Sequence, residues 1–285
     1  MKIAPLVLAL AGGTAAAAPV TFPVDTAYKP LRCGGTPMYD AFRDQPGFVD
    51  EGDVVGSATA PAALRASDAT YLYLRIRLDT DPAPTQTPKP ASWGIELDLD
   101  GDPTNYELLM LVDGLAATNA VELFTNHTVT LQNDPNDPAD LPAVATYTFA
   151  TNARSIAAPM PTTGGNPDFF LDFALPWSDL VAAGLDHRTA TRLWVASSTS
   201  ADSLNGDFAC HDGAGGVVHL DTADSDATTG DPADDPNGNG SGSGTGSAGD
   251  RLEGGGGCST TGGATTPLFA IGLAMLVRRR RRPVI

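Results

Sequence analysis

The segment Tyr71-Leu-Tyr-Leu-Arg-Ile-Arg-Leu78 constrains the fold more than any other part of the chain, because it alternates without a break. Leu72, Leu74, Ile76 and Leu78 fall on one face, and Tyr71, Tyr73, Arg75 and Arg77 on the other. A period of two with one apolar side predicts a strand that is seated on a core and wet outside. Trp93 to Leu99 repeats the pattern, with Trp93, Ile95, Leu97 and Leu99 inward. Tyr106 to Val112 is apolar on both faces, as a central strand would be. Further strands are predicted over Val121 to Phe124, Thr128 to Leu131, Val144 to Phe149, Phe169 to Ala174, Arg192 to Ala196 and Val217 to Leu220. Turn residues separate nearly all of them, which predicts an all-β fold, an antiparallel β-sandwich of jelly-roll or immunoglobulin-like form. One short helix is predicted at Pro176 to Ala183, since proline suits the first helical turn and Gly184 stands where a C-terminal cap belongs. The Pro-rich stretches Asp81 to Pro90 and Asn133 to Pro142 are predicted loops.

The two ends predict where this domain goes. Met1-Lys2 and the apolar run Ile3 to Ala11 lead into the small residues Thr14 to Ala18, the layout of a cleavable signal peptide over residues 1–17. The apolar run is too short to span a bilayer of ~30 Å as a helix. At the other end Gly254 to Gly257 precede Cys258, an apolar segment runs from Pro267 to Val277, and the arginines Arg278 to Arg282 follow. An apolar helix closed by a cationic cluster is a membrane stop. Residues 221–257 are acidic, rich in Gly and Ser and nearly free of apolar side chains, so a disordered linker is expected between the domain at 20–220 and the terminal segment at 258–285.

The terminal segment resembles a MYXO-CTERM sorting signal through Cys258, the apolar span and the arginine cluster. Members usually carry a second Cys near the first, whereas here the neighbours are Gly257 and Ser259, so the likeness is to a one-Cys variant. The resemblance implies cleavage near Cys258 by a myxosortase-type intramembrane protease, lipid attachment to that Cys, and display on the surface or outer membrane of a Gram-negative bacterium. A permanent tail anchor is the alternative.

The formal net charge is −17, and five of the arginines stand in the terminal cluster. Such a surface repels nucleic acid and favours cations, so a nucleic-acid partner is excluded. With Cys258 assigned to the sorting signal, Cys33 and Cys210 remain at the two ends of the domain, in an oxidising compartment, and predict a disulfide.

From Asp68 onward the chain is similar to carbohydrate-binding family 9 and DOMON-type β-sandwiches. The segments that carry the resemblance are Asp68 to Asp79, Ser92 to Asp102 and Phe170 to Trp177. It implies two core strands, a strand leading into an acidic turn, and a strand running into a short helix. It also implies a glycan ligand, although no exposed aromatic clamp is evident.

Asp98-x-Asp100-Gly-Asp102 is the one polar cluster with metal-like spacing, since hard oxygen ligands at alternate positions before a turn suit Ca²⁺. It departs from the EF-hand pattern at Pro103, where Gly is required, and at Leu109, where Glu is required. A solvated hairpin turn is the competing reading. Calcium is the only cofactor the sequence suggests, and none is required. Trp93, Trp177 and Trp194 are expected in the core, and Tyr71 and Tyr73 beside Arg75 and Arg77 form either a cross-strand ladder or a surface for sugars or anions. His127, His187, His211 and His219 lack ligand spacing, and no G-x-S-x-G elbow or Cys–His dyad occurs. Three functions follow, in order: a non-enzymatic surface binding or adhesion module, a structural envelope protein without a specific ligand, and a secreted glycoside hydrolase whose carboxylates come from distant strands.

Overall fold

The alternating stretch becomes one strand of a computed structural model that describes residues 18–222, apart from 34–35, 46–48, 103, 117, 133, 135, 163–164 and 211–217. The chain divides into two units, Met1–Gly242 and Ser243–Ile285. The second unit lies wholly outside the described residues, as do the predicted signal peptide, the linker beyond Thr222 and Cys258. Among the described residues no helix is long and apolar enough to cross a membrane.

Three antiparallel sheets make up the fold among the described residues. The first runs β1 (Lys29–Pro30), β4 (Ala63–Ser67), β5 (Tyr71–Leu78), β11 (Phe169–Pro176), β10 (Ala153–Ala157). The second runs β13 (Phe208–Cys210), β12 (Ala190–Ser198), β6 (Ser92–Asp98), β7 (Leu108–Asp113), β8 (Ala120–Thr125), β9 (Ala145–Thr148), with β14 (Val218–His219) also paired to β12. A small hairpin joins β2 (Arg32–Cys33) to β3 (Thr36–Pro37). Among the described residues helix is confined to single turns and two short pieces, α1 (Phe149–Asn152) and α2 (Trp177–Ala182).

Period two dictates the core. Leu72, Leu74, Ile76 and Leu78 of β5 join Leu171, Phe173 and Leu175 of β11 in the same apolar cluster as Trp93, Ile95 and Leu97 of β6 and Leu108, Met110 and Val112 of β7. Both large sheets therefore contribute one face to one core. Each fully buried Leu or Ile contributes about 1.5–3 kcal/mol relative to its exposed state.

The outer face of β5 is not wet. Arg75 lies directly opposite Asp172 in the β5–β11 register, and its Nε and Nη2 donate to Asp172 Oδ1 and Oδ2 at 2.6 and 2.9 Å. Its guanidinium also lies over the rings of Tyr28 and Phe170, at 3.8 and 4.3 Å from their centroids. Arg77 donates to Asp168 Oδ2 and to the carbonyl of Met160. Tyr28, Tyr73, Ala66 and Ala174 form a separate small cluster there, with Val20 and Phe22 packed against it. The alternation read the core side correctly, but charges on the other side marked internal pairing instead of solvent.

The stretch Thr128 to Leu131 is a loop, not a strand. The Asp137 carboxylate accepts from the N–H groups of Thr130 and Leu131 and from the Thr130 hydroxyl, so these donors are unavailable to a ladder. The predicted strand Val144 to Phe149 stops at Thr148 and turns into α1. Helix α2 forms where expected, with Pro176 as its N-cap and Gly184, at φ +106°, reversing the chain after it. The fold also continues past Leu220: Asp221 is buried and accepts from the Ser67 hydroxyl, while Thr222 N–H donates to Ser67 Oγ at 2.6 Å.

Candidate metal centre in the acidic turn

Strand β6 ends at Asp98 and β7 begins at Leu108, so the chain must reverse between them through residues dominated by oxygen. Asp98 is fully buried at the end of its strand, opposite Arg192. Its Oδ1 accepts from Gly101 N–H at 2.6 Å. Its Oδ2 lies 3.2 Å from Arg192 Nε as an ion pair, without hydrogen-bond geometry. Arg192 Nη2 donates to the carbonyl of Gly101, and Gly101 itself adopts φ +85°, a conformation that favours glycine.

The remaining carboxylates fold the turn on themselves. Asp100 Oδ1 accepts from Asp102 N–H, and Asp102 Oδ1 accepts from both the N–H and the hydroxyl of Thr104. Glu107 reaches back into the turn: Oε2 accepts from Leu99 N–H at 2.6 Å and Oε1 from Asn105 Nδ2 at 2.9 Å. The carboxylate oxygens offered by Asp98, Asp100 and Glu107 lie within 4.8 Å of one another. Asp102 is not in this group. Its place is taken by Glu107, an acidic residue just ahead of β7 whose extra methylene lets it span the turn. The sequence signal for it was present, an acid flanking the turn on the returning strand, but the alternate-position rule stops at Asp102.

Electrostatics follow the same geometry. Burial raises the Asp98 carboxyl, against the Gly101 N–H and Arg192, and Asp100 adds to the rise. Burial also raises Glu107, with Leu99 N–H opposing and Asp100 and Asp98 contributing. The Thr104 hydroxyl and N–H lower Asp102. Three carboxylates against one guanidinium leave an excess of negative charge, and the buried Asn105 Oδ1 has no hydrogen-bond partner. Hard oxygens with an unused carbonyl among them fit Ca²⁺, which takes 6–8 oxygen ligands at about 2.3–2.6 Å.

The other singled-out residues are placed as follows. Trp93 is fully buried and donates its indole N–H to the carbonyl of Glu51, and Trp177 donates to that of Asp68. Trp194 packs with Tyr106, Leu109 and Phe124 in a second cluster on the outer side of the larger sheet. Tyr73 donates its hydroxyl to Asp68 Oδ2 at 2.6 Å, so it too is used internally. Ser67, Asp221 and His187 meet, but Ser67 and His187 both bind the Asp221 carboxylate. A nucleophilic serine would instead be bonded to the imidazole. Cys33 is disulfide-bonded, and Cys210 ends β13; the side chain of Cys210 lies outside the described residues.

No protein-family model, no curated protein and no solved structure significantly matches this chain.

Proposed function

We propose that the protein is an exported, surface-anchored binding or adhesion module whose described part is a β-sandwich of the jelly-roll or immunoglobulin-like class. The observation that supports it best is the architecture itself. All strand pairs among the described residues are antiparallel, two sheets share one core, and the arginines on the charged face of β5 are taken up by the Arg75–Asp172 and Arg77–Asp168 pairs. Ligand contacts on such a scaffold belong to loops, which a rigid core positions. Among the large exposed hydrophobic side chains of the described residues, Tyr39 is the aromatic one, and it sits in a loop. Glycan is the proposed ligand class, with Tyr39 as the stacking group. Calcium in the turn at Asp98, Asp100 and Glu107 is a structural accessory that stiffens the connection between two central strands. Export, cleavage near Cys258 by a myxosortase-type protease and membrane attachment through the C-terminal segment complete the reading.

A glycan array probed with the purified protein, beside its Tyr39→Ala variant, tests the ligand class. Binding that the variant loses supports the reading; turnover of a polysaccharide, abolished by changing one carboxylate, would replace it with a hydrolase. Intact-mass analysis of surface protein tests the anchor. Mature chains should lack Phe269 to Ile285, and recovery of the whole arginine cluster would leave a plain tail anchor.

A further inference from the structure

We propose that Asp40, Asp44 and Asp207, with Asp53 beside them, form a second calcium site, separate from the turn at Asp98. No motif joins these residues. Asp40 and Asp44 lie in the loop after β3, Asp53 follows the turn Asp50–Gly52, and Asp207 directly precedes β13. The fold brings them together: carboxylate oxygens of Asp40, Asp44 and Asp207 lie within 4.8 Å of one another. At a Ca²⁺–oxygen distance of about 2.4 Å, two ligands on opposite sides of an ion are about that far apart.

The decisive atom is Asp40 Oδ2. Asp40 is 8% exposed, its Oδ1 accepts from Ala41 N–H at 2.9 Å, and its Oδ2 is buried with no N–H or hydroxyl donor, the carboxyl meeting that of Asp44 instead. The charged groups acting on Asp40 are the carboxylates of Asp207 and Asp44. Asp207 is 3% exposed; its Oδ2 accepts from Val54 N–H at 2.7 Å, and its carboxyl contacts those of Asp44 and Asp53. Asp53 is occupied on both oxygens by Arg43 N–H at 3.1 Å, which holds Arg43 at φ 56° and so sets the course of the loop that delivers Asp44. The Arg43 guanidinium, the one cationic side chain on that loop, points away to Asp50. Buried carboxylates cannot remain charged together without a counter-ion, and the leading charges on Asp40, Asp53 and Asp207 are other carboxylates. In the Asp98 turn Arg192 already occupies part of that role. Here no Lys or Arg among the described residues fills it, and a hard divalent cation would do so with these oxygens as ligands.

The site would tie the loop after β3 to the lead-in of β13, residues otherwise distant in the chain. The test uses the full chain stripped with chelator and titrated with Ca²⁺ by calorimetry, alongside Asp40→Asn, Asp44→Asn and Glu107→Gln. Asp44 is exposed, so its replacement leaves the core untouched. Asp40→Asn and Asp44→Asn should each weaken one calcium-binding event at least about tenfold and shrink the rise in Tm on adding calcium. Glu107→Gln should leave that event intact. In chelator, Asp40→Asn should melt no lower than wild type, because the metal-free cluster gains nothing from a carboxylate at Asp40. A calcium isotherm unchanged by Asp44→Asn, or an Asp40→Asn chain that melts lower than wild type in chelator, would overturn the site.

Discussion

Replacing Asp172 by Asn should cost the fold about 3–5 kcal/mol, the penalty for stripping one partner from a buried ion pair. The side chain of Asp172 is fully buried and accepts from Arg75 at 2.6 and 2.9 Å and from Arg154 at 2.9 Å. Arg154 is partly exposed and can turn to water, so its loss is minor. Arg75 cannot. Its side chain is 2% exposed, and its other carboxylate, Asp25 at 2.9 Å, is itself 56% exposed and screened by solvent. Asn keeps the volume of Asp, so no cavity confuses the measurement. For a domain of this size 1 kcal/mol moves Tm by about 2–4 °C, giving a fall of roughly 6–20 °C. Urea unfolding followed by tryptophan fluorescence reads the change, since Trp93, Trp177 and Trp194 are all buried. Arg75→Met with Asp172→Leu removes both charges and should recover most of the loss. A single-variant loss below about 1 kcal/mol, or a double variant weaker than the single, would refute the assignment of the charge pair as the cause.

Three further outcomes are expected. Burial alone would raise the Asp137 carboxyl, but hydrogen bonds from Asn126, Thr130 and Leu131 outweigh it and hold it below its ordinary range; its contribution is complete above the unfolded pKa near ~4 and disappears as pH falls through the lower folded value. Asp137→Asn should therefore cost about 2–3 kcal/mol at neutral pH and flatten the acid limb of a stability–pH profile, and an unchanged limb would contradict the network. Glu107→Gln should reduce the calcium-dependent gain in Tm that the Asp98 turn provides, and a gain equal to wild type would remove Glu107 from the ligands. Peptide mapping without reductant should recover residues 33 and 210 on one linked pair, closing a loop for which chain entropy gives about 5 kcal/mol; a free thiol at either position would sink the pairing.

The core was legible because burial on one face imposes a period of two, and Tyr71–Leu78, Trp93–Leu99 and Phe169–Ala174 show it in their own residues. Strands β4 and β10 escaped because Ala-Leu-Arg-Ala-Ser and Ala-Arg-Ser-Ile-Ala are short and mix polar and apolar residues at both phases. The loop at Thr128 to Leu131 read as a strand because the group that captures its N–H donors, Asp137, is remote in the pattern. Within the acidic turn Asp98 and Asp100 were legible from spacing, whereas Glu107 required knowing how tightly the hairpin folds back. Nothing local could have joined Asp40 to Asp207.

A shortage of cations explains why these carboxylates sort as they do. The chain has 34 acidic side chains against 17 Lys and Arg, and five of the latter stand in Arg278–Arg282. In the folded part four arginines stand against carboxylates whose desolvation is severe. Arg75 and Arg154 go to Asp172 and Arg192 goes to Asp98, each placed opposite its partner by strand register, and Arg77 goes to Asp168 just ahead of β11. Loop carboxylates get what is left, and Asp40, Asp53 and Asp207 are buried without such a partner. A buried carboxylate with no cation must either take up a proton or bind a metal. Calcium at the proposed site would complete the charge pairing that the sequence leaves unfinished, and withdrawing it should loosen the loop after β3 before it loosens the strands.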